Sequence, residues 1–331
     1  MKAVLMAGGF GTRLRPLTAN VPKPMVPLGN KPIMEHAIEL LKAHGFDDLL
    51  VLLYFLPETI TQYFGDGSRW GVRMRYVAPT TDLGTAGAVR FAAEGLAEAI
   101  LVISGDILTD FDLSAAAAFH RSAKAEATMV LTRVENPLSY GIVITDEAGR
   151  ITRFLEKPTW GEVFSDTINT GIYLLEPSIL ATIPPGREYD FGKDLFPAAL
   201  REGRTLSGHV AEGYWRDVGD IVEYRLAHLD LLHGRVRVMP SGRRVPGLDR
   251  RIWLDDGARV DFTAHLRDAV IVGRDARVEA NARIVSSVIG PGCTIGEGAV
   301  LDQCVLWEGA EIGPRAAVRG PSWQSGTDSE R

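Results

Sequence analysis

The sequence predicts two folds in series. The first is an α/β fold, a Rossmann-like, mostly parallel sheet with helices on both faces; the second is a left-handed β-helix of hexapeptide repeats. Two observations carry this. Over residues 1–235, continuous apolar runs alternate with segments of helical period, as in strands buried on both faces by crossover helices. From about residue 250, apolar residues recur at six-residue spacing, the pattern of stacked short strands.

The elements follow in order. Ala3 to Met6 is a short buried run that ends in glycines. Ile33, Met34, Ala37, Ile38 and Leu41 share one helical face, and Gly45 stops that helix. DLLVLLYF (48–55) is a continuous apolar strand. A helix opens at Pro57, since proline is tolerated in a first turn. VRMRYV (72–77) alternates like a half-buried strand, TAGAVRFAAEGLA (85–97) reads as helix, and AILVIS (99–104) reads as strand. DLSAAAAFHRSAK (112–124) is a helix with Asp112 as its N-cap. Leu254, Val260, Leu266, Val272, Val278 and Ile284 then keep the six-residue phase. The series slips by one to Ile289, resumes at Ile295 and Leu301, slips again to Leu306, and continues to Ile312 and Val318. A set of hairpins is the other reading, but so many positions in phase favour a β-helix of about four coils. The expected organisation is a first domain over 1–235, a linker over 236–250, the β-helix over 251–320 and a flexible polar tail over 321–331. SGRRVPGLDR (241–250) reads as linker or first coil, and Trp323 as a possible cap on the repeat.

The totals narrow the function. The 331 residues suit two domains, with 46% hydrophobic and 24% charged residues, as in a globular protein. A net charge of −6 argues against nucleic acid as the main partner, because such proteins carry a basic excess. The only cysteines, Cys293 and Cys304, suggest a reducing compartment and no disulfide framework. The N-terminus has too short an apolar run for a signal peptide, and no stretch reaches the ~20 apolar residues of a membrane helix. These features lead to the expectation of a cytoplasmic protein without a membrane partner. The apolar ladder of the β-helix adds the expectation of a homo-oligomer formed through residues 250–320.

The chemistry starts after the first strand, where the ligands of such sheets gather. LMAGGFGTRLRPLT (5–18) places glycines, a threonine and two arginines there. Gly8, Gly9, Gly11 and Thr12 form a backbone cradle for phosphate oxygens, and Arg13 adds a bidentate cation. Lys23 stands between two prolines that stiffen its backbone. The loop lacks GxxxxGK[ST] and GxGxxG, so it is neither a P-loop nor a dinucleotide fingerprint. Taken singly, Asp106 after its strand reads as a turn residue, Asp217 as an acid near a helix start, and FLEKP and NTG as an exposed strand end and a turn.

The ordered set is more specific. GGFGTRLRPLT and PKPM are followed by LGTAGAV (83–89), SGDIL (104–108), YGIV (140–143), EKP (156–158), NTGIY (169–173) and WRDVG (215–219). Residues 1 to about 235 thereby resemble the nucleotide-sugar pyrophosphorylases, the sugar-1-phosphate nucleotidylyltransferases. NKPIMEH, YFGDGS and LGTAGAV look most like the bacterial mannose-1-phosphate guanylyltransferases, and a β-helix is a common appendage there. The resemblance implies an enzyme that joins a sugar 1-phosphate to the nucleotidyl group of an NTP, GTP favoured, with release of pyrophosphate and with Mg2+ as cofactor. It implies Arg13, Lys23, Asp106 and Asp217 as catalytic residues, and Asp106 and Asp217 as the metal ligands. Ala7, Gly8, Gly9, Gly11, Thr12, Gly84 and Thr85 would hold the nucleotide, with Gly84 letting the backbone come close to the base. Gly141, Glu156, Lys157, Asn169 and Thr170 would hold the sugar phosphate. Guanylyltransferases often carry a glutamate shortly before LGTAG, where this chain has APTTDLG. The alternatives are a glucose-1-phosphate uridylyl- or thymidylyltransferase and a non-catalytic regulatory subunit. His36, His44, His120, His228 and His233 read as helix-surface residues rather than metal ligands. His265 alone is weak support for an acyltransferase activity in the β-helix.

Overall fold

The computed structural model describes residues 1–9, 11–246 and 251–320; the expected tail, Trp323 and part of the expected linker lie outside them. By internal contacts the chain forms two units. One comprises Met1–Thr12, Pro16–Met25 and Ala37–Asp217, and the other Arg13–Arg15, Val26–His36 and Val218–Arg331.

The main sheet of the first unit runs Ile151–Glu156, Gly141–Thr145, Thr167–Leu175, Ile100–Ser104, Lys2–Ala7, Asp48–Leu53, Arg73–Val77. Lys2–Ala7 pairs in parallel with both Ile100–Ser104 and Asp48–Leu53, which pairs in parallel with Arg73–Val77. This is the Rossmann-like half, with helices Ile33–Ala43, Pro57–Phe64 and Gly84–Ala92 in its connections. Beyond Ile100–Ser104 the sheet continues antiparallel through Thr167–Leu175 and Gly141–Thr145 to Ile151–Glu156. The short links between these later strands leave no room for a crossover helix, so they fold back on themselves. The core of the unit is apolar, with Val4, Ile100, Val102, Met129, Leu131 and Phe196 buried together. Asp112 caps helix Leu113–Ala123 by accepting from Ala115 N at 2.9 Å, as expected from sequence.

In the second unit, parallel strands stack in three columns that follow the hexad series. Leu254, Val272, Ile289 and Leu306 are successive partners. So are Val260, Val278, Ile295 and Ile312, and Leu266, Ile284, Leu301 and Val318. Each slip of one residue therefore marks a coil one residue shorter than three full hexads. Arg243–Arg244, within the expected linker, pairs antiparallel with Trp253 and Leu254 and so extends the edge of one sheet of the repeat. Cys293 and Cys304 are free and buried, and burial pushes the Cys293 thiol up to about 11.

This unit also contains helix Ile221–His233 and the hairpin Pro27–Leu28/Lys31–Pro32, both of which sequence placed with the first domain. Trp307 Nε1 donates to the Tyr224 hydroxyl at 3.1 Å, and that hydroxyl donates to Pro27 O. Asn30 Nδ2 donates to Ile289 O at 2.8 Å. The residues forming this network lie far apart in sequence, so hydropathy alone does not reveal it.

Three histidines expected on helix surfaces are buried: His36, His120 and His228. Each ring is used in the packing. His36 Nε2 donates to Leu28 O, His228 Nε2 accepts from Gly29 N, and His120 Nδ1 bonds the Thr128 hydroxyl. Burial lowers His120 and pushes His36 and His228 from 6.5 down to about 4. A neutral buried imidazole binds its proton in the unfolded chain at higher pH than in the folded one. Stability is then full above about pH 6.5 and is lost as pH falls towards 4, by about 3 kcal/mol for each of His36 and His228. Urea unfolding at pH 7.5 and pH 4.5 should differ by several kcal/mol; equal midpoints would show that these rings do not stay neutral in the fold.

Candidate active site

A cavity of about 430 Å3 opens beyond the carboxyl ends of Lys2–Ala7, Asp48–Leu53 and Ile100–Ser104. Gly8, Gly9, Lys23, Gly84, Thr85 and Asp106 line it. Six of the residues singled out from sequence therefore meet around one space, the place an open α/β sheet offers a ligand.

Lys23 lies in its wall. Its side chain is only 8% exposed, its Nζ pairs with Asp106, and Asp217 Oδ1 lies 3.6 Å away. Strand register creates this convergence. Ile107–Thr109 begins one residue after Asp106 and pairs antiparallel with Trp215–Asp217, placing Asp217 opposite Ile107. Trp215 is fixed through Nε1, which donates to Thr170 O at 3.1 Å, and its ring meets Tyr140 edge-on. Gly11 permits the close approach of Lys23. It has φ +61°, and a Cβ there would stand 3.0 Å from Lys23 Cβ. The Thr18 hydroxyl donates to Gly11 O at 2.7 Å and holds the loop. Ala7 is buried at the end of its strand, and Thr12 and Arg13 are exposed in the turn Thr12–Leu14.

Around Glu156 the geometry differs. Glu156 sits opposite Gly141 in the strand pair and is wedged between two glycines. A Cβ on Gly141 would stand 2.7 Å from Glu156 Oε2, and one on Gly192 2.5 Å from it. Burial, reinforced by Asp190, holds the Glu156 carboxyl above the usual range. Lys157 follows with φ +47°, a left-handed backbone uncommon for lysine. Its N donates to Tyr140 O at 3.1 Å. Asn169 Nδ2 donates to the Tyr173 hydroxyl, and its Oδ1 accepts from Gly171 N. Thr170 differs from the expectation of a sugar-phosphate side chain: it is 1% exposed and its hydroxyl donates to Val130 O. Its visible task is to support Trp215.

Gly84 also carries a different reason from the one read in sequence. A Cβ there would stand 2.7 Å from Tyr189 O, so the glycine admits another protein segment. That segment was missed. Glu188, Asp190, Lys193 and Asp194 line the cavity, and Phe191–Leu195 forms a single π turn, a form frequent at functional sites. Its sequence signal was DFGKD (190–194) after the breaker PPG (184–186). Lys157 and Lys193 act electrostatically on the Glu156 carboxyl and partly offset the effect of its burial.

The comparisons agree with this geometry. The nucleotidyl transferase family matches residues 2–234. A UTP–glucose-1-phosphate uridylyltransferase of Synechocystis sp. is 37% identical over 96% of this chain and 86% of its own. A mannose-1-phosphate guanylyltransferase of Mycobacterium tuberculosis is 36% identical over 91% of this chain and 83% of its own. Among solved structures, a putative glucose-1-phosphate thymidylyltransferase of Bacillus anthracis superposes with TM-score 0.62 at 25% identity, covering 69% of this chain and 93% of that one. With the family matched over most of its length and relatives above 30% identity along nearly all of it, the chain belongs to the nucleotidyl transferase family, among the enzymes that act on sugar 1-phosphates.

Proposed function

We propose that the chain transfers the guanylyl group of GTP to mannose 1-phosphate and releases pyrophosphate. The observation that carries this is the convergence of Asp106 and Asp217 on Lys23, with Lys23 and Asp106 lining a cavity together with Gly8, Gly9 and Gly84. A phosphate oxygen of the sugar 1-phosphate bonds to the α-phosphorus as the bond to the bridging oxygen breaks, and pyrophosphate carries that electron pair away. No protein nucleophile is needed, so the chain's work is positioning and charge stabilisation. In this reading Lys23 and Arg13 hold the triphosphate and the departing pyrophosphate, and Lys157 the sugar phosphate. Glu156 and Asn169 take sugar hydroxyls.

Nucleotidyltransferases of this family generally use divalent metal ions. Asp106 and Asp217 already converge on one cation, the Lys23 ammonium, and Mg2+ takes one or two carboxylates together with phosphates and water. These two residues would hold it, and it would neutralise charge on the triphosphate.

Mannose and guanine rest on seven guanylyltransferase relatives at 32–36% identity. The Synechocystis relative favours a second reading, uridylyl transfer to glucose 1-phosphate. Pyrophosphate release over four NTPs and several sugar 1-phosphates separates the two. GTP with mannose 1-phosphate is expected to give the highest kcat/KM; a maximum at UTP with glucose 1-phosphate selects the second reading.

A further inference from the structure

Two stretches distant in sequence are bonded together beside the cavity: residues 83–87, on the nucleotide side of the reading above, and residues 189–191. Tyr189 N donates to Leu83 O at 2.9 Å, and Tyr189 O accepts from Ala86 N at 2.9 Å and Gly87 N at 3.0 Å. The Thr85 hydroxyl donates to Asp190 Oδ2 at 2.9 Å and accepts from Phe191 N at 3.0 Å. Gly84 and Gly87 permit the approach, since a Cβ on either would stand 2.7–2.9 Å from a backbone oxygen of Tyr189 or Arg187.

The same turn continues to the sugar side. Asp190 Oδ1 accepts from Gly192 N at 2.9 Å and Lys193 N at 3.1 Å, which fixes the turn that follows. Gly192 lies directly against the Glu156 carboxyl. The Phe191 ring packs on Tyr173 with centroids 4.7 Å apart, and the Tyr173 hydroxyl accepts from Asn169 Nδ2 at 2.9 Å. One short turn therefore touches the nucleotide loop at one end and, at the other, reaches one candidate sugar-hydroxyl ligand, Glu156, directly and the second, Asn169, through Tyr173. With so little clearance at Gly192, a shift of the turn moves the Glu156 carboxyl with it.

We propose that the turn Tyr189–Lys193 couples the two substrate subsites, with Thr85 and Asp190 as positioning residues that make nucleotide binding tighten sugar 1-phosphate binding. The inference rests on the assignment of the two sides given above. A nucleotide that orders residues 83–87 also orders, through the five hydrogen bonds, the turn beneath Glu156 and Asn169. The sugar phosphate then no longer bears that ordering cost, and by linkage the effect is mutual. Attack is thereby favoured when both substrates are in place, and the sugar phosphate binds less well alone.

The test is calorimetric binding of mannose 1-phosphate, with Mg2+, in the absence and presence of saturating α,β-methylene-GTP, an unreactive triphosphate. The readout is the ratio of the two sugar-phosphate dissociation constants, which does not depend on how tightly the nucleotide itself binds. In the wild type the ratio should be about fivefold or more. Thr85→Val, nearly isosteric and without the hydroxyl, should bring it close to one, and Thr85→Ser should restore it. Asp190→Asn, which takes away the acceptor facing Thr85, gives an independent measurement if Thr85→Val does not fold. A wild-type ratio of one, or a ratio unchanged in both Thr85→Val and Asp190→Asn, overturns the coupling. A wild type that binds uridine analogues and glucose 1-phosphate instead overturns the substrate assignment, and the same ratio is then read with that pair.

Discussion

Asp217→Asn is expected to lower kcat by about two orders of magnitude or more while leaving the fold intact. The substitution keeps the shape of the side chain and removes its charge. Asp217 is held by the pairing of Trp215–Asp217 with Ile107–Thr109, and that pairing uses backbone groups the substitution does not touch. What changes is the charge facing Lys23, whose Nζ lies 3.6 Å from Asp217 Oδ1, and the second of two carboxylates available to a metal. Pyrophosphate release at saturating substrates and Mg2+ gives kcat, and circular dichroism confirms folding. A folded Asp217→Asn protein turning over near the wild-type rate would remove Asp217 from the chemistry.

Gly84→Ala should damage both stability and activity. Gly84 has φ +64°, where an L-residue costs about 1 kcal/mol, and the new Cβ would stand 2.7–3.0 Å from the backbone of Tyr189. Backbone cannot swing aside as a side chain can, so the turn at 189–191 must move. We expect a loss of about 2–4 kcal/mol in stability and of about a hundredfold in kcat/KM, because a displacement near 1 Å at a positioned site costs that much. Gly9→Ala is the contrast: a Cβ there meets nothing within 4 Å and φ is not positive, so its melting temperature should stay near that of the wild type. Equal melting temperatures for the Gly84→Ala and Gly9→Ala proteins would show that residues 83–87 and 189–191 are not locked together.

Legibility in the sequence followed the range of the interaction. Periodicity is local, so the strands and helices of the parallel half could be read directly, and the hexad series gave the partners of the β-helix down to its slips. Motif order brought Lys23, Asp106, Gly8, Gly9, Gly84 and Thr85 to one cavity. What could not be read depends on where distant segments meet. The antiparallel turn of the sheet after Ile100–Ser104, the burial of His36, His120 and His228, and the grouping of helix Ile221–His233 with the repeat are of this kind. Glycine motifs misled for the same reason. Gly84 suggested close approach to a ligand, yet it first makes room for Tyr189, as Gly141 does for Glu156. The resemblance implied Thr170 at the sugar phosphate, and strand alternation turns its side chain inward.

The bond from Trp307 through Tyr224 to Pro27 has a practical bearing on cutting the gene. Read along the sequence, residues 1–235 look like a self-sufficient enzyme with a detachable appendage. In space, the hairpin that begins at Pro27, four residues after Lys23, shares a hydrophobic and hydrogen-bonded interior with helix Ile221–His233 and the repeat. A fragment ending near residue 235 would keep every candidate catalytic residue and lose Trp307 and Ile289, the partners of Tyr224 and Asn30. Useful boundaries for expression, domain exchange or circular permutation therefore run around the repeat, and recombination at the linker would separate residues that fold as one body.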